Sequence, residues 1–190
     1  MPDTMAKKGV AMYVKLAPYG AENGRSVTAR MLLGVKKQPD KRLFAFLAKE
    51  LAPGVRSALA AADRTCLKNG LPVPKTVICP LPRNRRAVRL YGFDQAALLA
   101  RALGKELKIP VAPLLLRIRD TAPQKTLSAH ARAANLSGAF KRSRAAAPPR
   151  VILVDDVVTT GAGMAEAAKV LKDSEVFAVS VAFTKKAREK

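Results

Sequence analysis

The apolar positions change period part-way along the chain. Residues 10–16 form a short strand-like run, and the polar stretch 18–25 predicts a loop. Ser26 is placed to cap a helix running to about residue 37. Asp40 is placed to cap a second, in which Leu43, Phe44, Phe46, Leu47 and Leu51 make a broad apolar stripe at helical spacing. Pro53 is expected to end or kink that helix, with the Ala-rich stretch beyond it continuing to about Asp63. The segment LKNGLPVPK is turn chemistry and marks a boundary near residue 75. Residues 1–75 therefore read as a strand and helical lead-in and 76–190 as the core, the two making one compact domain overall.

From Thr76 onward, apolar runs alternate with helical patterns. TVICP is a short strand that Pro80 terminates, and 93–108 carries Ala96, Leu99, Ala100, Leu103 and Leu107 at helical spacing. VAPLLLRI is strand-like, SAHARAANLSGA helical and RVILV a strongly apolar strand. Met164, Ala167, Ala168 and Leu171 mark one helix face, and EVFAVSVAF is a long strand near the end. Continuous apolar strands between helices imply a parallel sheet covered on both faces. The class is α/β, and in such sheets ligands sit at the carboxyl ends of the strands.

Composition narrows the partners. Hydrophobic residues make up 49% and charged residues 26%, enough for a packed core. Lys and Arg number 35 against 14 Asp and Glu, a net charge of +21 that favours polyanions: nucleic acid, anionic membrane or phosphorylated small molecules. Aromatics are 5% with no Trp, which leaves few platforms for stacking bases along a single strand. Cys66 and Cys79 stand 13 positions apart with one histidine, His130, so no closed zinc site is expected. They also form no disulfide framework, which fits a reducing cytoplasm. With no apolar run of ~18 residues and a start, MPDTMAKKGVAMYVKLAP, that reads as neither signal nor anchor, a cytoplasmic protein without membrane insertion is expected.

The segment VILVDDVVTTGAG, residues 151–163, carries the chemistry. Four apolar residues predict a buried strand, and Asp155 and Asp156 are expected to emerge where it ends. The turn TTGAG then opens a helix. Its backbone N–H groups, with the Thr159 and Thr160 hydroxyls, form an anion cradle suited to a phosphate. Gly161 permits close backbone approach and a positive φ. The carboxylates beside the cradle can accept hydrogen bonds from vicinal hydroxyls and support Mg²⁺ through its water shell. Phosphate plus diol outlines a ribose 5-phosphate. A strand ending in Asp-Asp before a capped helix also occurs in receiver domains and nucleotide hydrolases, where no ribose is held. The absence of a GxxxxGK[ST] loop argues against the nucleotide-hydrolase version.

The same segment resembles the 13-residue phosphoribosyl-pyrophosphate motif of type I phosphoribosyltransferases. PLP…RLYGFDQAALLARAL and RIRDTAPQKTLSAHARAANLSGAF narrow the likeness to the ComF family. ARMLLGVKKQPDKRLFAFLAKELA is similar to that family's helical lead-in, so the resemblance covers nearly the whole chain from about Ser26. It implies a type I phosphoribosyltransferase fold, a parallel sheet flanked by helices with an N-terminal helical lead-in. Asp155 and Asp156 would hold the ribose hydroxyls and, indirectly, Mg²⁺. Thr159, Thr160, Gly161, Ala162 and Gly163 would wrap the 5-phosphate. The loop after TVICP, with Arg83, Arg85, Arg86 and Arg89, would bind pyrophosphate, four guanidiniums in seven residues suiting a leaving group that gains charge. RIRDTAPQKTLS matches the loop that closes over the site, with Arg117, Arg119 and Lys125 as catalytic clamps. The alternative for both basic stretches is a solvated or nucleic-acid-facing surface, and His130 reads as a surface helix residue.

Four departures accompany the resemblance. The family's four-cysteine zinc module is missing, Gly163 stands where a Thr or Ser hydroxyl is usual, and the family's RGFNQ is here Tyr91-Gly92-Phe93-Asp94-Gln95, without its Arg. An acid for a purine base is also missing at Thr159, which argues against hypoxanthine or guanine salvage. The implied activity is Mg²⁺-dependent transfer of ribose 5-phosphate to an unidentified acceptor. The alternative is a non-catalytic DNA-uptake accessory that senses phosphoribosyl pyrophosphate or binds single-stranded DNA. Expected partners are that ligand, single-stranded DNA or DNA-uptake proteins, and a second copy of the chain as a homodimer.

Overall fold

The computed structural model describes residues 9–19, 39–119 and 136–184. The expected helix over 26–37, most of the one over 128–139, Lys125 and His130 lie outside them. In chain order the elements are β1 (Met12–Tyr19), α1 (Lys41–Lys68), β2 (Thr76–Pro80), α2 (Arg85–Tyr91), α3 (Gln95–Leu107), β3 (Leu115–Arg117), β4 (Phe140–Arg142), β5 (Arg150–Val158), α4 (Ala162–Val170) and β6 (Glu175–Thr184).

The class is α/β, as expected. β1, β6, β5 and β2 form one four-stranded parallel sheet in that spatial order. Alternation along the strands sorts their side chains to the two faces. Ile78, Ile152, Val154, Phe177, Val179 and Val181 pack beneath α1 and α3 with Phe44, Leu47, Leu51, Leu99 and Leu103. Cys79, Val151, Leu153, Val176 and Ala178 pack on the other face against Met164, Ala167, Ala168 and Leu171 from α4 and its end. That second face is also covered by Leu115 and Phe140 from the antiparallel ribbon β3–β4. Burial on both faces is why the strands read as unbroken apolar runs.

Asp40 caps α1, its Oδ1 accepting from the Arg42 backbone N–H at 2.8 Å. The helix does not end at Pro53 but runs through it for 28 residues. Leu47, Leu51 and Ala52 before the proline and Val55 and Ala58 after it are buried on the same core, and this shared face outweighs the backbone hydrogen bond that proline forgoes. β5 likewise runs past Asp155 and Asp156 to Val158, correcting the expected strand end. β6 is long enough to offer ladder partners further along, with Asp155 opposite Ser180, Val157 opposite Ala182 and Val158 opposite Phe183. Only 115–117 of VAPLLLRI enter the ribbon, while Val111 makes a lone parallel bridge to Ile78.

Candidate functional site

A cleft lies over the carboxyl ends of β2 and β5. Asp155, Asp156, Thr159, Gly161, Ala162 and Gly163 line one side, Leu81, Pro82, Arg83, Asp94 and Gln95 another, and Arg117, Leu136 and Phe140 come from the ribbon side. Two strand ends, the start of α4 and the start of α3 thus converge on one space, as parallel sheets arrange their ligand sites.

The turn into α4 depends on Gly161, which takes φ +73° at the position before the first helical residue. A side chain there would be strained, and glycine is not. The Thr160 Oγ1 accepts from the Ala162 N–H at 3.4 Å, so this hydroxyl serves the helix start and does not line the cleft. Gly163 has no positive φ, and a Cβ on it would meet Leu81 Cδ2 at 3.4 Å, an ordinary contact.

Burial holds the Asp155 carboxyl well above the usual carboxylate range, and the neighbouring Asp156 charge adds to the effect, with Asp94 contributing. One oxygen of Asp155 accepts from the Asp156 backbone N–H at 2.9 Å. The carboxylate pair gains from a ligand that donates hydroxyls or brings positive charge. Hard carboxylate oxygens, with no cysteine or histidine in the lining, fit Mg²⁺ held through its water shell.

The expected arginine loop is divided. Arg83 lines the cleft, and its Nη1 is buried without a hydrogen-bond partner among the described residues. Arg85, Arg86 and Arg89 stand on the short helix α2, capped by Asn84, where all three are exposed and outside the lining. The Asp94 side chain caps α3 through the Ala97 N–H at 3.1 Å and reaches the Arg83 backbone N–H at 3.5 Å. Arg117 lines the cleft with its guanidinium over the Phe140 ring, 5.7 Å from the centroid. Arg119 instead donates to the Ser137 carbonyl at 2.6 Å. Asp94 and Gln95 had no assigned role in the sequence. The polar pair opening α3 directly after a strand–turn was the available signal.

The chain is 38% identical to a DNA utilization protein YhgH of Salmonella typhi over 103 residues, 54% of this chain and 45% of that protein. It is 37% identical to the YhgH protein of Escherichia coli K12 over 114 residues, 59% and 49% of the two chains. With a Competence protein F of Haemophilus influenzae it shares 36% over 128 residues, 65% and 54%. The chain's homologues are ComF-family proteins. The chain spans about half the length of the curated ComF relatives it matches. No family model matches it. Among the described residues, no helix is long and apolar enough to cross a membrane.

Proposed function

We propose that the chain has a type I phosphoribosyltransferase fold, binds phosphoribosyl pyrophosphate with Mg²⁺ in this cleft, and transfers its ribose 5-phosphate group to an acceptor. The observation that carries the reading is the convergence of the Asp155–Asp156 pair, the Gly161–Gly163 turn and Arg83, whose Nη1 has no hydrogen-bond partner among the described residues, on one space. The carboxylates are acceptors for the two ribose hydroxyls. The backbone N–H groups opening α4 face a 5-phosphate with the favourable end of the helix dipole. Arg83, with Arg117 across the cleft, donates to pyrophosphate oxygens, whose charge grows as the bond from the anomeric carbon breaks. The acceptor's attacking atom forms the new bond to that carbon as pyrophosphate leaves, and its proton is released to solvent. Mg²⁺ held by Asp155 and Asp156 through water would supply further charge neutralisation to the leaving group.

Isothermal calorimetry with phosphoribosyl pyrophosphate and Mg²⁺ tests the binding, and pyrophosphate release with a panel of acceptors tests transfer. Saturable Mg²⁺-dependent binding is expected. Heat indistinguishable from dilution would overturn the reading.

A second reading has its own observation. Arg85, Arg86 and Arg89 are exposed on α2 together with Leu90 at 76% and Tyr91 at 44% exposure, a basic and apolar surface outside the cleft. The ComF relatives are named for DNA utilization and competence. On this reading the chain is a DNA-uptake accessory that binds single-stranded DNA along α2, alone or with DNA-uptake proteins, and uses the cleft to sense the sugar phosphate. Binding to a labelled single strand should then fall steeply with salt and weaken in Arg85→Ala/Arg89→Ala without loss of the small ligand.

A further inference from the structure

Gln95 opens α3 immediately after its capping Asp94, in the cleft wall that also holds Arg83. Its side chain is buried, 1% exposed, yet neither carboxamide atom has a hydrogen-bond partner among the described residues. Interchanging its oxygen and nitrogen changes nothing, because both are unpartnered. Proteins seldom leave such groups unmatched, since the lost hydration is not recovered. An apolar residue of similar volume would fit a purely structural position better. The Arg83 Nη1 in the same wall is in the same condition. Together they place two N–H donor groups and one carbonyl acceptor, all unmatched among the described residues, within the wall of the cleft.

We infer that Gln95 is a ligand-binding and specificity residue, its carboxamide taking one acceptor and one hydroxyl donor from a phosphorylated polyol while Arg83 takes an anionic oxygen. For the identity of that polyol the inference rests on the phosphoribosyl-pyrophosphate reading. Inorganic pyrophosphate, rich in acceptors and poor in donors, matches the nitrogen groups and leaves the Gln95 oxygen unmet. A sugar phosphate matches all three atoms. Gln95 thereby favours the intact donor over its leaving group.

The test uses Gln95→Met, close in volume and unable to hydrogen-bond, and Gln95→Glu, which adds a charge beside Asp94, Asp155 and Asp156. Thermal melting is measured without ligand, and affinity by calorimetry with Mg²⁺ for phosphoribosyl pyrophosphate and for inorganic pyrophosphate. Gln95→Met should melt above wild type while binding phosphoribosyl pyrophosphate about tenfold more weakly, with a smaller loss for pyrophosphate. Gln95→Glu should melt below wild type and lose affinity for both. A structural role predicts a lower melting point for the Met variant, and that result, or wild-type affinity for phosphoribosyl pyrophosphate, overturns the inference. Equal losses for both ligands overturn the specificity role. If wild type binds neither probe, the functional reading fails separately, and Gln95 is judged on melting alone: a rise supports it and no rise overturns it.

Discussion

The guanidinium of Arg83 lies over the ring of Tyr91, 5.0 Å from its centroid. Position 91 is where the resembled family carries an arginine that this chain lacks. The tyrosine replaces a second cation with a platform that fixes the first, restraining Arg83 at the cleft wall.

Tyr91→Ala should therefore weaken pyrophosphate binding by roughly two- to fivefold, the worth of an exposed cation–π contact of ~0.5–1 kcal/mol. Tyr91→Phe should retain wild-type affinity because the ring face remains. Arg83→Ala should cost about tenfold or more, a charged hydrogen bond being worth ~1.5–3 kcal/mol. Calorimetric titration of the three variants checks the order.

Asp155→Asn with Asp156→Asn should abolish phosphoribosyl-pyrophosphate binding while the protein folds. Because burial and the adjacent Asp156 charge both oppose ionisation of Asp155, removing the charges should leave the ligand-free protein at least as resistant to urea at neutral pH. Retained binding would remove the ribose assignment, and a collapse in urea resistance would show that the pair supports the fold.

Gly161 and Gly163 separate sharply. Gly161→Ala should destabilise by about 1 kcal/mol or more, since its φ is +73°. A Cβ at 163 would meet Leu81 at ordinary contact distance with no positive φ to strain it, and Gly163→Thr restores the hydroxyl that the resemblance places there. It should tighten phosphoribosyl-pyrophosphate binding about tenfold, and Gly163→Ala should not. Equal affinities in all three would show that side chains at 163 do not reach the phosphate.

Arg150 is buried, with Nη1 2.5 Å from an Asp63 carboxylate oxygen and Nε 2.6 Å from Glu175. Arg150→Ala should cost roughly 3 kcal/mol in chemical denaturation, the low end for breaking a buried pair, because both carboxylates retain partial access to water. Ligand affinity should stay near wild type, since Arg150 opens β5 at the end away from the cleft.

Burial pushes the Tyr13 phenol up to about 12 from 10.0, although its 2.5 Å hydrogen bond to Ser180 acts the other way and the Asp155 charge adds to the rise. In that window the folded state keeps a proton that the unfolded chain releases. Stability should thus be unaffected by this group below pH 10 and fall as pH rises toward 12. Urea melts at about pH 9 and about pH 11 should show a smaller drop for Tyr13→Phe than for wild type.

Local patterns carried much of this structure. TVICP is read to the residue because an apolar run meets Pro80, and the Asp40 cap and the α4 face follow from spacing within one turn. The length of β5 was not legible, because a carboxylate pair reads as a strand end unless the partner strand is known to continue. By sequence, Arg150 is simply a polar residue at the start of an apolar run. Its burial depends on Asp63 and Glu175, 87 and 25 positions away, which no local pattern encodes. At the cleft, the Asp155–Thr159–Gly161 stretch was visible as a motif. The separation of Arg83 from Arg85, Arg86 and Arg89 was not, because it follows from Asn84 starting a helix inside what reads as a basic loop.

The position of β6 governs when this protein can be made. It is the last of the sheet's four strands along the chain, yet it lies between β1 and β5. On the ribosome β1 emerges first and finds no ladder partner until 175–184 has been synthesised. Until then the apolar face of α1 lacks Phe177, Val179 and Val181. From the synthesis of β1 until that of β6, nascent chains therefore keep adhesive strand edges on show, the state that chaperones hold and proteases clear. A nonsense mutation ahead of Glu175 would yield no partially working protein, only a substrate for degradation.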